Sequence, residues 1–398
     1  MSYISKESSS HFLLILFSLS FPISVFAGNF FALLIVIFWL LTSNIKNELK
    51  KIHRNKVITS SFLFFLAHVV GLIWTEDFEW GFHIIKKMLE FAVLLPILFS
   101  LIKSNKSNIY IFCFLFSVGV MVFFSYLIWL GIIEPFKNAD LGSPTPFMTR
   151  ISHTPIVAFS AYIIGNTLFM ELRKNENKNK IFLFFLLFIL FAFNVLITGG
   201  RSGQLAFFAL LGLLFFQNFD LNFKNLIKYL ITLTLVFFLS FNFLDNFQKR
   251  VIETYDDILT YEENAYTNLG MRMKLAENSL ILIKENILFG VGTGDFPVEY
   301  KNINSKNKSN LPNATNPHNM YLLVLSQLGF FGLFFFVRIF LMQLKSLHKT
   351  NSFFRNLGLG LIVFFLIINI GESYMLGHYT SFLFVFFSAF LFSNNEQK

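Results

Sequence analysis

The sequence predicts an all-α membrane protein that crosses a bilayer about twelve times and carries one large helical loop outside the membrane. Hydrophobic residues make up 55% of the 398 residues, charged residues only 14%, and phenylalanine alone occurs 58 times. Apolar runs close to the ~20 residues that cross a hydrocarbon core recur along almost the whole chain. Each run should form a helix, because a helix satisfies its own backbone hydrogen bonds in lipid.

The predicted spans divide the chain into three parts. Residues 1–244 hold about nine spans, residues 245–317 form the external loop, and residues 318–398 hold about three more. The predicted spans are 11–27, 29–43, 57–74, 82–102, 109–130, 153–172, 181–199, 202–217, 226–244, 318–342, 355–374 and 378–393.

Lysine and arginine in the connections predict the orientation. Cytoplasmic loops are enriched in these residues, and alternate connections here hold clusters of them. With both termini inside, the long segment 245–317 lies outside. The net charge of +9 comes mainly from these short loops, so it indicates membrane topology and argues against nucleic-acid binding. The basic loop residues are Lys46, Lys50, Lys51, Arg54, Lys56, Lys103, Lys106, Arg173, Lys174, Lys178, Lys180, Lys224, Lys228, Lys345, Lys349 and Arg355.

Two features near the start of the chain and in the fifth span concern processing and redox state. The start of the chain resembles a secretory signal, with Lys6, an apolar stretch from Phe12, and Val-Phe-Ala at 25–27 as a possible cleavage site. The next apolar run follows at once, so we expect an uncleaved first span.

Cys113 is the single cysteine, which excludes a disulfide within the chain and predicts a packing role.

The external loop contains one predicted helix and one glycine cluster. Apolar residues between 271 and 283 predict a short amphipathic helix that lies along the membrane surface. The cluster Gly-Val-Gly-Thr-Gly-Asp at 290–295 lacks the Gly-Lys-Ser/Thr ending of a nucleotide-binding loop, so we expect a tight turn instead of a phosphate loop.

Three positions at the outer ends of spans are candidates for chemistry. Arg201 lies in a turn of small residues, 198–203, where an ionised group must be paired or line a wet cavity, and the adjacent glycines would let an anionic headgroup approach. Arg272 opens the amphipathic helix, where guanidinium and helix dipole act together on an anion. His318 begins a long span, and histidine is the side-chain type most often used as a general base, so it suits that role. The alternatives are snorkelling or solvated arginines and a histidine that only caps a helix.

These three segments together resemble the O-antigen ligase and polymerase superfamily. Residues 318–322, His-Asn-Met-Tyr-Leu, followed by Gly329 and Gly332, resemble the family's His-Asn-x-Tyr-Leu entrance and Gly-x-x-Gly-Leu helix. Arg272 with residues 290–296 resembles the family's arginine and Gly-x-Gly-x-x-Phe pattern, and residues 198–203 resemble its Thr-x-Ser-Arg-Gly turn. The sequence departs from the family at Gly200 and Ser202, and at Gln327, where an acidic residue is frequent. The motifs cover roughly residues 180–340.

The resemblance implies a GT-C-like glycosyltransferase of the bacterial inner membrane with a periplasmic active site. It would transfer polysaccharide from an undecaprenyl-pyrophosphate-linked glycan donor to lipid A-core, with inversion and with neither metal nor cofactor. Arg201 and Arg272 would stabilise the departing pyrophosphate, since guanidinium groups bind phosphate bidentately. His318 would take the proton of the acceptor hydroxyl. The partners are the lipid-linked donor, the lipid A-core acceptor and membrane lipids.

Further residues are predicted to contact substrate. Arg150 and His153 begin a span at its outer end, and His153 is also an alternative base. Asn319 and Tyr321 belong to the family's histidine motif, and Lys87 would bind phosphate unless it snorkels to the interface.

Two acidic clusters carry weaker alternatives. Asp77 and Glu79 could hold a divalent metal through oxygen ligands. The run of Asp256, Asp257, Glu262 and Glu263 is interpreted as a solvated loop surface.

Other functions share the same sequence features. An O-antigen polymerase and a protein O-oligosaccharyltransferase use the same donor chemistry, and the sequence holds no acceptor motif that separates them from a ligase. A transporter of lipid-linked sugars is the alternative from another class, although no paired halves with interrupted helices are evident in the sequence.

Overall fold

The computed structural model describes residues 3–220, 222–260, 266–306 and 312–392, and no strand occurs within these ranges. The helices of the first half are α1 Tyr3–Ser20, α2 Val25–Thr42, α3 Ile45–Arg54, α4 Lys56–Gly71, α5 Phe78–Leu89, α6 Leu95–Leu101, α7 Ser107–Trp129 and α8 Arg150–Lys174. Those of the second half are α9 Lys178–Ile197, α10 Arg201–Asn218, α11 Phe223–Phe243, α12 Asp245–Leu259, α13 Asn268–Glu285, α14 Phe296–Lys306, α15 Met320–Ser346, α16 Ser352–Gly371 and α17 His378–Leu391. The all-α prediction is confirmed.

Within the described ranges, eight helices are long and apolar enough to cross a membrane, so the chain is a polytopic membrane protein. The count of about twelve spans stays a prediction, because the other apolar segments are shorter, interrupted or less apolar. The eight are Val25–Thr42, Lys56–Trp74, Ser107–Trp129, Arg150–Lys174, Lys178–Ile197, Phe223–Phe243, Met320–Ser346 and Ser352–Gly371.

Most predicted spans differ from the helices by a few residues at their ends, and two differ in more than their ends. The first was expected to reach residue 27, but α1 ends at Ser20 and α2 begins at Val25, where the Ser24 side chain accepts a hydrogen bond from Ala27 N. Pro22 explains the break, since the residue before a proline is biased away from helical geometry. The fourth span is interrupted between α5 and α6 by the π-helical turn Glu90–Leu94.

Connections between the helices gather at two opposite ends of the bundle. The end that carries α12 to α14 is called the loop face here, and it holds the connections that the sequence predicts to be external. Basic connections meet at the other end, and which end faces the cytoplasm stays a prediction. Contacts at the loop face join Thr75 to Thr293, Ser143 to Thr198 and Ser373 to Asn316. Contacts at the other end join Asn55 to Phe392, Lys103 to Glu7 and Arg173 to Asn218.

The glycine cluster 290–295 is a tight turn that inserts into the bundle. Gly290, Gly292 and Gly294 all have positive φ, and Val291 N and Gly292 N donate to the carbonyls of residues 326 and 327. In return, the nitrogens of residues 330 and 331 donate to the carbonyls of residues 287 and 288. The backbone groups of residues 326–331 are available for this pairing because α15 is broken at Gly329, whose φ is 59°. The external loop is therefore anchored in the membrane domain, which fixes α13 over the ends of the spans.

Gly290→Ala should destabilise the protein by at least about 2 kcal/mol, because a left-handed conformation costs a side chain ~1–2 kcal/mol and overpacking adds ~1–3 kcal/mol. A Cβ at this position would lie 2.3 Å from the backbone carbon of Gln327, with φ at +69°. Gly131→Ala is the matched control, since its φ of +70° is nearly the same and no atom lies within 4 Å of the added Cβ. Thermal unfolding in detergent should show a clearly larger loss for Gly290→Ala. Equal losses would mean that the inserted turn does not constrain the fold.

Candidate active site

A cavity of about 480 Å³ opens at the loop face, between the ends of α8, α10, α15 and α16 at that face and the helices α12 and α13. We call it the arginine cavity, because Arg150, Arg201, Arg250 and Arg272 all line it and its described lining holds no carboxylate. One wall is apolar and includes Leu205, Leu322, Ile367 and Ile370. Four guanidinium groups beside an apolar wall suit a ligand with a multiply charged anionic head and a hydrocarbon tail.

His318 lines the arginine cavity, and its position is set by the residues around it. It follows Pro317, has φ of 50°, and donates its backbone N–H to Asn316 Oδ1 over 2.7 Å. Asn319 then caps α15, since its side-chain oxygen accepts from the nitrogens of residues 321 and 322. The helix therefore begins only after His318, and the 40% exposed imidazole stays at the cavity instead of joining the helix surface.

Glu372 pairs with His318 and was missed in the sequence analysis. His318 Nδ1 and Glu372 Oε2 lie 2.6 Å apart, and Glu372 Oε1 accepts from Asn316 Nδ2 and from Ser373 N. Burial raises the pKa of the Glu372 carboxyl, but the hydrogen bond and charge of His318 outweigh it, so the pKa lies below its ordinary value. The ionised carboxylate orients the imidazole and leaves Nε2 as the nitrogen that can take a proton.

A signal for Glu372 was present in the sequence. It was counted within the predicted span 355–374, whereas α16 ends one residue before it at Gly371. An acidic residue inside an otherwise apolar span is a functional candidate by default, so this carboxylate should have been singled out with Arg201.

Arg272 connects the external helix to the histidine pair. It lies in the first half of α13, its Nη1 donates to the Gly371 carbonyl, and its Nη2 is 3.8 Å from Glu372 Oε2. A helix is thus present where an amphipathic one was predicted, but its apolar residues do not share one face, since Leu280 and Ile281 are exposed while Asn278 and Ser279 are buried. Its arginine is held by the end of α16 and is not simply solvated.

Arg201 is the first residue of α10, with Gly200 as the N-cap. Its guanidinium lies 3.5 Å from Glu253 and 3.7 Å from Asp257, both on α12. Asp257 was interpreted as solvated loop surface; it is instead only 13% exposed and orients Arg201. Glu262 and Glu263 of the same acidic run lie outside the described residues.

Two of the small residues beside Arg201 allow close helix packing. A Cβ on Gly200 would lie 2.4 Å from Thr154 Oγ1, and one on Gly203 would lie 2.5 Å from the backbone nitrogen of Pro155. These two glycines let α10 approach α8 closely. Gly199 and Gly200 also line the arginine cavity, and their role in admitting a headgroup stays a prediction. Gly199, with φ of +66°, forms the turn that leads into α10.

Arg250 is a second cavity residue that the sequence analysis missed. It lies on α12, and its Nη1 is 2.7 Å from Glu253 Oε2, the carboxylate that also pairs with Arg201. Nothing in the sequence separates Arg250 from a solvated arginine, because only the fold brings α12 over the turn at Gly199. Arg150, which was predicted to contact substrate, lines the same cavity.

The structure does not bring all of the predicted contact residues to the arginine cavity. His153 is buried, with its Nε2 2.9 Å from Asn194 Oδ1, and the Tyr321 hydroxyl donates to the carbonyl of residue 366. Asn319 lines the cavity, but its side chain is committed to the α15 cap and to the carbonyl of residue 370. Lys87 lines a neighbouring cavity. Roles in substrate contact for these residues remain predictions.

Asp77, one of the two residues proposed as alternative metal ligands, has a structural role. The Asp77 side chain accepts a hydrogen bond from Trp80 N and thereby caps α5. In the described part of the chain, no group of three His, Cys, Asp or Glu side chains is placed to hold a metal ion.

Fold and site together define a polytopic helical membrane protein with an arginine-lined cavity and a histidine–carboxylate pair at one end of the bundle. Residues 185–337 match the family model described as O-Antigen ligase, which confirms the resemblance over that segment. The match contains Arg201, Arg272 and His318, and it ends before Glu372.

The chain is also similar to an uncharacterized protein of Haemophilus influenzae (strain ATCC 51907 / DSM 11121 / KW20 / Rd), with 27% identity over 235 residues. That alignment covers 56% of this chain and 58% of the relative. The chain thus spans little more than half the length of the curated relative that it matches.

Proposed function

We propose that the chain is an O-antigen ligase that transfers polysaccharide from undecaprenyl pyrophosphate to lipid A-core at the periplasmic face of the bacterial inner membrane. The observation that carries the proposal is the His318–Glu372 pair beside four arginines in one cavity at the loop face. The O-antigen ligase match over residues 185–337 supports the same class of reaction.

The cavity suits each part of the lipid-linked donor. The pyrophosphate lies among the guanidinium groups, which are fixed by Glu253, Asp257 and Glu372 and so need little reorganisation as charge develops. The polyprenyl tail leaves along the apolar wall, where Leu205 and Ile370 are 57% and 56% exposed. This geometry keeps the tail in lipid while the sugar reaches His318.

Transfer then proceeds as a single displacement. The acceptor hydroxyl gives its proton to His318 Nε2 while its oxygen forms a bond to the anomeric carbon of the donor. The bond from that carbon to the pyrophosphate oxygen breaks, and the electron pair stays on the pyrophosphate, where Arg201 and Arg272 stabilise it. The configuration inverts, and the His318 proton passes to water after the product leaves.

Deletion of the gene tests the function and separates it from its rivals. A ligase predicts lipid A-core without any O-antigen and accumulation of lipid-linked polymer. Core that carries a single repeat would instead indicate a polymerase, and unchanged lipopolysaccharide with unglycosylated protein would indicate protein glycosylation. Movement of lipid-linked glycan across proteoliposomes without transfer to an acceptor would indicate a transporter.

A further inference from the structure

A second cavity of about 250 Å³ adjoins the arginine cavity, and we call it the lysine cavity after Lys87. The two cavities share Ile151 and Tyr374. Glu372 lines the lysine cavity, whereas His318 lines the arginine cavity. Since these two side chains are joined by a 2.6 Å contact, the histidine pair lies at the boundary between the cavities.

The lining of the lysine cavity is typical of a site for one sugar ring. Hydroxyl and amide groups come from Ser152, Thr315, Asn316, Ser373 and Thr380, and Trp80 supplies an aromatic ring. Pockets of this kind combine an apolar or aromatic surface with a few polar groups that fix orientation. The volume is below the ~300 Å³ at which pockets for larger ligands begin, so it suits a single ring.

Trp80 forms the aromatic wall of the lysine cavity, against which one face of a sugar ring can pack. The ring stacks on His83 at 4.7 Å between centroids, so its orientation is fixed.

Lys87 is the cation of this cavity. It is half-buried, and in the described part of the chain no carboxylate lies within 4 Å of its Nζ. Glu372 does not serve as its counter-ion, since that carboxylate is already engaged by Arg272, His318 and Asn316. Glu90 lies one helical turn further along and attracts Lys87 by its charge, but it makes no ion pair with Lys87 within 4 Å. A half-buried ammonium gains from a direct partner, and a bound anion would supply one.

We propose that the lysine cavity binds the acceptor sugar and that Lys87 pairs with an acidic substituent, a phosphate or a carboxylate, on that sugar. This proposal rests on the proposed function, in which the pyrophosphate occupies the arginine cavity. Displacement at the anomeric carbon requires the acceptor hydroxyl to approach from the side opposite to the leaving group. A sugar held in the lysine cavity meets that requirement by extending its hydroxyl past Ile151 and Tyr374, which line both cavities, to His318 Nε2 in the arginine cavity.

Purified full-length protein with lipid-linked donor and lipid A-core acceptor tests the proposal. Lys87→Met should raise the KM for the acceptor by roughly tenfold, the loss of one charge-assisted contact worth about 1.4 kcal/mol, and leave kcat and the KM for the donor unchanged. Lys86→Met is the control, because Lys86 precedes Lys87 in the chain, its side chain is exposed, and it does not line the lysine cavity. An unchanged acceptor KM, or a change confined to the donor, would overturn the proposal.

Chemically altered acceptors identify the acidic group and separate this proposal from the general function. Hydrogen fluoride removes phosphates from the core, and amidation neutralises its carboxylates. The treatment that removes the recognised group should raise the acceptor KM of wild type until it equals the acceptor KM of Lys87→Met. If neither treatment changes the acceptor KM of wild type, the role of Lys87 is contradicted. If wild type transfers nothing to any acceptor, the proposed function fails. Direct binding of intact and treated core to wild type and Lys87→Met then still decides whether the lysine cavity recognises an acidic sugar.

Discussion

Replacing Arg201 and Arg272 together with alanine is expected to lower the rate of glycan transfer by at least about 10³-fold, since removal of one preorganised donor to a developing anion costs about 10²–10³-fold. Both guanidinium groups line the arginine cavity, and each is oriented by carboxylates on a different element. The loss should appear mainly in kcat, because the charge on the pyrophosphate grows as its bond to the sugar breaks.

Lysine at the same positions separates charge from geometry. Arg201→Lys keeps the positive charge but loses the bidentate fork, so it should recover only part of the rate. Arg173→Ala is the control, because that arginine lies at the opposite end of the bundle, where it contacts Asn218. Full activity in the double alanine variant would remove the arginines from the mechanism.

Glu372→Gln is expected to lower kcat by about 10²–10⁴-fold, the range that a general base contributes, while the donor still binds. Glutamine has nearly the same shape, but it carries no charge and can present an amide N–H to His318 Nδ1. Loss of the charge and an amide N–H facing Nδ1 both destabilise the tautomer in which Nδ1 carries the proton and Nε2 is free to accept one. Glu372 acts through His318, and we therefore regard it as a positioning residue.

The measurement for Glu372 must exclude a purely structural effect. Glu372→Asp, which keeps the charge, should restore part of kcat, and the KM for the donor should stay near that of wild type in both variants. Glu285→Gln serves as a control, because that carboxylate is exposed at the end of α13. A Glu372→Gln protein with wild-type kcat and an unchanged pH profile would show that the carboxylate is dispensable.

Much of the fold was predictable because lipid restricts the options of the backbone. Apolar runs of the right length must be helices. Connections rich in Lys and Arg alternate with connections that hold few of them, so the helical class and the alternation of the connections followed from composition. The exact helix ends did not follow, since Pro22 and the break at Gly329 depend on local backbone geometry. Pairing of the inserted turn with residues 326–331 joins segments that no local pattern connects.

The site was predictable only where residues stand in motifs. Arg201, Arg272 and His318 do line one cavity, although they lie far apart along the chain. Arg250 has no motif and could not be predicted, because its position depends on how α12 packs over the spans. Glu372 has no motif either, and its only signal was its place as an acidic residue within an apolar segment. His153 shows the opposite case, since a histidine near a predicted outer end turns out to be buried against Asn194.

The most direct test of the central claim is the rate at which purified protein joins lipid-linked glycan to lipid A-core, compared between wild type, His318→Ala and the control His53→Ala. His53 is exposed on α3, at the end of the bundle away from the cavity. The proposed mechanism predicts that wild type and His53→Ala transfer equally, and that His318→Ala is slower by about 10²–10⁴-fold with unchanged binding of undecaprenyl pyrophosphate. Equal transfer by all three proteins would contradict it, as would the absence of transfer by wild type.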